Sequence, residues 1–273
     1  MKKLIFIFSI ITIISCTKTE EVINIHPPDN TIENITIETY INKLYVSVIG
    51  REPTSIELDA SFNPLREANL SYESRELVIT AIQSNSEYYY NLFRLESLNI
   101  LNGIDTVDIN AEITALTGSE LERMLALQEA LPKLVEETLE GGIPEMHKRM
   151  VNNSFYDKIH MSPMSFVISV FENFIQRSPS DEESESGRNM VIEGQGILFS
   201  QSGNSKEDFI DIFFESDAYF MGQTNILFNR YLFRNPSSEE SANYSLDYIN
   251  SRTIEGYKEL QTRILSTDEF IGL

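Results

Sequence analysis

The sequence predicts an all-α fold made of three helix-corner-helix repeat units with an inserted helical hairpin. Apolar residues recur three and four positions apart over most of the chain, which is the spacing of amphipathic helices. Alternating runs of β-branched residues, which would indicate strands, are few. A short proline-containing motif with a helix-capping pattern occurs three times, so we expect the helices to meet at similar corners.

The first fifteen residues have the layout of a secretory signal peptide. Lys2 and Lys3 precede an almost wholly apolar run from Leu4 to Ile14, and this order is typical of an export signal. The run is shorter than the roughly 20 residues that a helix needs to cross a bilayer. We therefore expect residues 1–15 to be removed after export.

Ile13-Ile14-Ser15-Cys16 resembles the lipobox of bacterial lipoproteins, in which a small residue precedes the cysteine that receives diacylglycerol. The resemblance implies that Cys16 is lipidated and becomes the new N-terminus, although Ile14 stands near where the family usually has Leu. Thr17 occupies the place of the family's inner-membrane retention signal, an Asp, so the resemblance implies an outer-membrane lipoprotein that faces the periplasm or the cell surface. Cys16 is the single cysteine, which excludes an intramolecular disulfide.

Residues 16–35 are expected to form a lipidated tether. Pro27 and Pro28 favour an extended or flexible connection. Lys18-Thr19-Glu20-Glu21 resembles the basic-then-acidic tag of surface-displayed Bacteroidota lipoproteins, and an ordinary solvated acidic tether is the alternative. In both cases the membrane partner is engaged through the lipid on Cys16.

The composition excludes several classes of partner. The formal net charge is -21, or about -23 without the two lysines of the signal peptide. Such a surface repels phosphate backbones, so we expect no nucleic-acid binding, and it also repels anionic lipid headgroups. Hydrophobic residues make up 41% of the chain, which is typical of a packed globular body.

The repeated motif reads Arg-x-Pro-[Ser/Thr]-x-x-Glu. Its defining residues are Arg51, Pro53, Thr54 and Glu57, then Arg177, Pro179, Ser180 and Glu183, then Arg234, Pro236, Ser237 and Glu240. Proline cannot continue the helix before it, and Ser or Thr followed three residues later by Glu is a capping box that starts the next helix. Each copy is therefore interpreted as a structural corner.

A second tag follows each corner at a similar distance. The tags are Ser86-Glu87-Tyr88, Asp217-Ala218-Tyr219 and Asp268-Glu269-Phe270, and their aromatic residues lie 37, 42 and 36 positions after the motif arginines. These spacings predict helical repeat units at 36–90, 162–222 and 223–273.

The corners and tags resemble the helical modules of phycobilisome linker proteins and related bacterial surface modules of unknown function. Those modules combine a Gly-Arg-x-Pro-x-x-x-Glu corner with a Ser-x-Glu-Tyr tag. Gly50-Arg51-Glu52-Pro53 with Glu57, and Ser86-Glu87-Tyr88, are the closest copies, whereas Gln176 and Phe233 replace the glycine in the other two. The resemblance implies an all-helical protein used for assembly or binding and carries over no catalytic residue.

Residues 91–161 are interpreted as a helical insertion, a hairpin between the first and second units. A long helical pattern starts near Thr117, with Ser119 as the expected cap. Pro132 is expected to bend this helix, and Gly141-Gly142 to end it.

The residues that could support chemistry are few. The motif arginines could bind anionic groups, but pairing with the glutamate of the same corner is the favoured interpretation. His147 and His160 have no metal-ligand spacing, and neither a serine nucleophile elbow nor a local triad occurs. We therefore predict no catalytic residue, no metal and no cofactor.

One segment is a candidate ligand loop. Its residues are Gly194, Gly196, Ser202, Gly203 and Asn204. A phosphate cradle would need a basic residue in a strand-loop-helix setting, and Lys206 alone does not provide one. The alternative is a long connection whose apolar residues, Ile197 to Phe199, pack into the core.

These observations favour a lipid-anchored, non-catalytic binding or assembly component of the cell envelope, with an envelope protein as its partner. The alternative is an accessory enzyme that acts on envelope polymers through two carboxylates about 5 to 10 Å apart. With 42 acidic residues, such a pair is compatible with the sequence.

Overall fold

The helices begin where the sequence provides caps. Thr54, Ser180 and Ser237 each accept a hydrogen bond from the backbone N–H of the third residue of the next helix, and the glutamate there accepts one from the cap's own N–H. Asp105 and Asp108 form the same reciprocal arrangement. The capping boxes thus satisfy N–H groups that the first helical turn leaves unpaired.

A computed structural model describes residues 32–273. This part of the chain forms fifteen helices and one short hairpin, which confirms the predicted all-α class. The helices are α1 (Asn34–Val48), α2 (Ser55–Glu67), α3 (Tyr72–Gln83), α4 (Glu87–Ile100), α5 (Thr106–Ile113), α6 (Gly118–Val135), α7 (Gly142–Val151), α8 (Ser154–Ile159), α9 (Pro163–Ile175), α10 (Asp181–Val191), α11 (Lys206–Phe214), α12 (Asp217–Leu232), α13 (Ser238–Ser251), α14 (Ile254–Leu265) and α15 (Asp268–Ile271), and the strands are β1 (Gly196–Leu198) and β2 (Gln201–Gly203).

The helices at the two ends of this region pack together. The Tyr40 hydroxyl of α1 donates to the Leu265 carbonyl oxygen at 3.1 Å, and Arg75 of α3 pairs with Asp268 of α15 at 2.8 Å. Buried apolar side chains from all parts of residues 32–273 form one continuous core. The predicted repeat units are therefore not separate domains, and residues 32–273 cluster as one compact unit.

Helix α12 belongs to two predicted units at once. It begins with the tag Asp217-Ala218-Tyr219 and ends immediately before the third corner, so the predicted boundary between residues 222 and 223 falls inside it. This boundary is corrected, because one helix ends the second helix-corner-helix segment and opens the third. The predicted end of the tether at residue 35 also moves, since α1 starts at Asn34.

The inserted segment is larger than a hairpin. Within 91–161, the end of α4 is followed by the four helices α5 to α8. Gly141 and Gly142 do not end α6, which stops at Val135, but stand at the start of α7 with positive φ angles. Ser119 lies inside α6, whose N-cap is Thr117.

Aromatic side chains fill the core around α9, α11 and α12. Phe174 contacts the rings of His147, Phe213 and Phe214, with centroids 4.9, 6.4 and 4.8 Å away. Gly222 of α12 lets this helix approach α9 closely, because a Cβ there would lie 2.2 Å from the Phe174 carbonyl oxygen. The second and third corners are fixed to the core by this helix crossing.

Candidate functional site

The first corner joins one arginine to two glutamates. Arg51 donates from Nη1 and Nη2 to the carboxylate of Glu57 at 2.8 and 2.9 Å. It donates from Nε and Nη2 to Glu87, at the start of α4, at 2.8 Å in both cases. Both donor edges of the guanidinium are thus occupied, and α4 is fixed to the corner between α1 and α2.

The third corner has the same arrangement. Arg234 binds Glu240 through Nη1 and Nη2 at 2.9 and 2.7 Å, and it binds Glu269 through Nε and Nη2 at 2.7 Å. Glu269 lies in the short helix α15. The favoured interpretation, that the motif arginine pairs with the glutamate of its own corner, describes both sites, but the second glutamate comes from the tag and was not expected.

The second corner lacks the second glutamate and the two hydrogen bonds that it accepts in the other corners. Arg177 binds Glu183 through Nη1 and Nη2 at 2.7 Å. Ala218 stands where the other two tags have glutamate, and no described side chain accepts a hydrogen bond from Arg177 Nε. The side chain of Arg177 is 43% exposed, against 34% for Arg51 and 37% for Arg234.

The residue before each motif arginine has a left-handed backbone. The φ angles are +84° at Gly50, +56° at Gln176 and +56° at Phe233. Glycine is favoured at this position after a helix because it has no Cβ. Gly50 therefore adopts this conformation without strain, whereas Gln176 and Phe233 adopt it at an energetic cost.

The corner carboxyls are held in their ionised form. Hydrogen bonds from Arg51 lower the pKa of Glu57 to about 2, and those from Arg234 lower the pKa of Glu240 to about 2. The pKa of Glu183 is also lowered, with the hydrogen bonds from Arg177 as the largest cause. These glutamates accept hydrogen bonds at neutral pH and are poor proton donors.

The candidate ligand loop forms the hairpin of β1 and β2. Gly196 pairs with Gly203 across it, and a Cβ at Gly196 would lie 2.3 Å from the Ser186 carbonyl oxygen of α10. Close packing against α10 thus explains why residue 196 is a glycine, and no ligand is needed to account for it. Among the apolar residues Ile197 to Phe199, Leu198 is buried but Ile197 is 62% exposed. The expected packing into the core therefore holds for only part of the segment.

The backbone N–H groups of two other loop residues are already engaged within the protein. Gly194 donates its N–H to the Asn189 carbonyl oxygen at 2.7 Å, and Asn204 donates its N–H to the Asp208 carboxylate at 2.7 Å. Ser202 is exposed on β2. Lys206 pairs with Asp157 rather than with the loop. This arrangement lacks the convergent N–H groups and the basic side chain of a phosphate cradle.

A buried polar cluster was missed by the sequence analysis. Glu96 of α4 is 7% exposed and accepts a hydrogen bond from Arg230 Nη2 of α12 at 2.7 Å. Its second oxygen lies 3.5 Å from His147 Nε2 of α7, and His147 Nδ1 is hydrogen-bonded to the Tyr219 hydroxyl at 2.8 Å. The cluster joins three distant helices around an ion pair.

Glu96 stays ionised despite its burial. Burial raises its pKa, but the positive charge of Arg230 and the contact with His147 outweigh that effect and hold the pKa below its ordinary value. Burial is also the largest influence on Tyr219, whose pKa is raised. The members contact one another in the core, where Arg230 Nη1 and His147 Nε2 are buried without a hydrogen-bond partner, and we assign the cluster a structural role.

A surface groove lies between α3, α14 and the segment after α6. Its volume is about 520 Å³, and we call it the acidic groove. The charged and hydroxyl side chains that line it are Glu76, Thr80, Ser84, Glu137, Glu255, Lys258, Glu259 and Thr262. Four carboxylates therefore face one cation.

The cation in the groove is already engaged. Lys258 Nζ lies 3.0 Å from the Glu137 carboxylate and 4.8 Å from the centroid of the Tyr89 ring. The Tyr89 hydroxyl also donates to Glu137 at 2.8 Å. These contacts hold the pKa of Glu137 below its ordinary value, the Tyr89 hydrogen bond being the largest cause. The other three glutamates of the groove, Glu76, Glu255 and Glu259, form no ion pair with a cation of the described residues.

A catalytic carboxyl pair needs one carboxyl with a raised pKa to donate a proton. In residues 32–273, every Asp or Glu whose pKa departs clearly from its ordinary value has it lowered. These residues are Glu57, Glu87, Glu96, Glu129, Glu137, Glu183, Glu185, Asp208, Glu240 and Glu269.

Metal ligands and membrane spans were sought over the same range. No group of three or more His, Asp or Glu side chains among residues 32–273 is arranged to hold a metal ion, and none of the helices there is long and apolar enough to cross a bilayer. The predicted signal peptide, the predicted lipidation site Cys16 and the predicted tether up to residue 31 lie outside the described residues.

Comparison of the chain with protein families, with curated proteins and with solved structures finds no match.

Proposed function

We propose that this protein is a lipid-anchored, non-catalytic binding or assembly component of the cell envelope, and that its acidic groove binds a cationic segment of an envelope protein. The observation that carries the proposal is the groove itself, in which three glutamates accompany an already paired Lys258–Glu137 couple. A partner with lysine or arginine side chains would neutralise this local excess of negative charge.

The charge of the whole chain supports a cationic partner. With a net charge of -21, the surface attracts positively charged proteins from a distance and repels nucleic acids and anionic lipids. Glu255 and Glu259 are exposed on one face of α14, four residues apart. Side chains at this spacing lie side by side on a helix, so a single basic segment can contact both.

The equivalent corners support a repeat architecture. At all three, a left-handed residue, an arginine and a capping box occur in the same order, and the arginine binds the box glutamate. We propose that the chain is built from three helix-corner-helix segments that share helices, an arrangement common in proteins that present binding surfaces.

The alternative, an accessory enzyme that acts on envelope polymers through paired carboxylates, ranks second. It requires a proton-donating carboxyl, and the clear pKa shifts of the described carboxyls are in the opposite direction. A polymer-degrading activity that is lost in Glu255→Gln and Glu259→Gln would reverse this order.

The groove is tested by site-specific cross-linking in living cells. A photo-reactive residue replaces Thr80, which is exposed in the groove, and a second strain carries it at Ser238, outside the groove. We expect one defined basic partner to be cross-linked from position 80 only, and the product to be lost in Glu255→Gln/Glu259→Gln but kept in Glu239→Gln. Cross-linking that is indifferent to the groove glutamates would overturn the proposal.

The anchor is tested separately. Cys16→Ala should leave an unprocessed or soluble exported protein, because no acyl chain can then be attached. The measurement is the mass of the purified protein together with its distribution between membrane and soluble fractions. Unchanged mass and unchanged membrane fractionation in the variant would refute lipidation.

A further inference from the structure

The three corners differ at one position, and we infer from this difference that the second corner is a binding site for a carboxylate of a protein partner. The site consists of the Nε–Nη2 edge of Arg177 and the surface beside Ala218. This inference is independent of the acidic groove, which lies on other helices and takes groups of the opposite charge.

The other two corners show what this edge binds. Arg51 uses its Nε–Nη2 edge for both oxygens of Glu87 at 2.8 Å, and Arg234 uses the same edge for both oxygens of Glu269 at 2.7 Å. A planar guanidinium and a carboxylate match in such two-bond contacts. The equivalent edge of Arg177 has the same two donor atoms, Nε and Nη2, for such a contact.

The missing glutamate is a matter of sequence rather than of a different fold. Ala218 lies two residues after the cap Ser216, as Glu269 lies two residues after the cap Thr267. The aromatic residue that follows is buried in both helices. Ala218 thus occupies the position in α12 that Glu269 occupies in α15, and its methyl group offers no acceptor to Arg177.

Space for an external group lies next to this alanine. A surface cavity of about 450 Å³ is lined by Ala218, Phe199 and Arg252, among others. Phe199 packs on Phe171, with centroids 6.0 Å apart, and the Arg177 guanidinium lies 5.0 Å from the Phe171 centroid. Phe171 therefore contacts both Arg177 and Phe199, a residue that lines the cavity.

The charges beside the cavity restrict what can enter. Arg252 binds Asp217 at 3.2 Å, and the Glu215 carboxylate pairs with Lys148 at 3.2 Å, so both acidic side chains that line the cavity are paired. Arg177 shares its other edge with Glu183. A single carboxylate matches the charge of the free arginine edge better than a multiply charged phosphate does. At the other two corners, the carboxylate comes from the first turn of a helix.

The first test supplies the missing group within the chain. Ala218→Glu should raise the melting temperature of the full chain by roughly 1–3 °C over Ala218→Gln, which has the same size without the charge. In an Arg177→Lys background, the difference between Glu and Gln should disappear, because lysine lacks the two-pronged edge. Equal melting temperatures for Glu and Gln at position 218 would contradict the inference.

The second test probes the unaltered chain, so it holds even if a variant does not fold. Arginine Nε–H resonances are followed by NMR during titration with sodium acetate, with sodium phosphate and sodium chloride at matched ionic strength. We expect a saturable shift at Arg177 with acetate, and none at Arg51 or Arg234, whose edges are occupied. Equal shifts at all three arginines, or a response to phosphate alone, would overturn the carboxylate assignment.

Discussion

Arg230 and Glu96 form an ion pair in the core, with Arg230 Nη2 2.7 Å from Glu96 Oε1. The two residues are 134 positions apart in the chain and belong to α12 and α4. Their side chains are 18% and 9% exposed. The pair therefore joins the helix that leads to the third corner to the helix that begins at the first tag.

Removing one partner of this pair should strongly destabilise the fold. Glu96→Ala leaves a buried, unpaired guanidinium, which typically costs about 3–5 kcal/mol in the free energy of unfolding. Glu129→Ala is the matched control, since it removes a more exposed pair with Lys133 and should have a much smaller effect. Urea unfolding of the variants measures both, and equal midpoints would show that Glu96 contributes no more than a surface charge.

The capping boxes should contribute similarly at all three corners. Thr54→Ala, Ser180→Ala and Ser237→Ala each remove a side-chain acceptor from the first turn of a helix, at a cost of about 1 kcal/mol each. Ser238→Ala, at the neighbouring exposed position, is the control. Thermal unfolding curves that coincide with the unaltered protein for all three variants would mean that the boxes do not stabilise the corners.

Substitutions at the left-handed positions Gly50 and Phe233 should change the stability of the protein in opposite directions. Gly50→Ala should destabilise the protein by more than about 1 kcal/mol, because φ is +84° and the new Cβ would lie 2.4 Å from Asn91 Oδ1. Phe233→Gly should instead stabilise it by roughly 1 kcal/mol, since Phe233 holds φ at +56° while 84% exposed. Phe233→Ala keeps the Cβ and controls for loss of the ring; a gain as large as with glycine would refute the backbone explanation.

Local sequence signals predicted the local structure well. The capping boxes depend on residues three positions apart, and the spacing of apolar residues identified α1, α9 and α12 as amphipathic. Both signals act within one or two helical turns, where the chain's geometry is nearly fixed. The all-α class and the corners follow from such short-range physics.

Contacts between residues far apart in the chain could not be predicted from such local patterns. The Glu96–Arg230 pair joins positions 134 apart, and no local pattern indicates which of many acidic residues meets an internal arginine. The predicted boundary between residues 222 and 223 falls inside α12 because it was placed from the spacing of the motifs alone. Gly196 was predicted to be a candidate ligand residue. A glycine is required there because the Ser186 carbonyl oxygen leaves no room for a Cβ, and this contact depends on tertiary packing.

The corner carboxyls should make stability depend on pH below about 4.5. The pKa of Glu57 and of Glu240 is lowered to about 2 in the folded protein, against roughly 4.3 in an unfolded chain. A carboxyl whose pKa is lower in the folded state stabilises it above the unfolded value, and this contribution is lost as the pH falls towards 2. Urea unfolding at pH 7, 4.5, 3.5 and 2.5 should therefore show a decline that is shallower for Glu57→Gln and Glu240→Gln than for the unaltered chain. Glu52→Gln, at an exposed position in the same corner, should keep the original slope; identical slopes for all three variants would show that the arginine pairs do not cause the acid sensitivity.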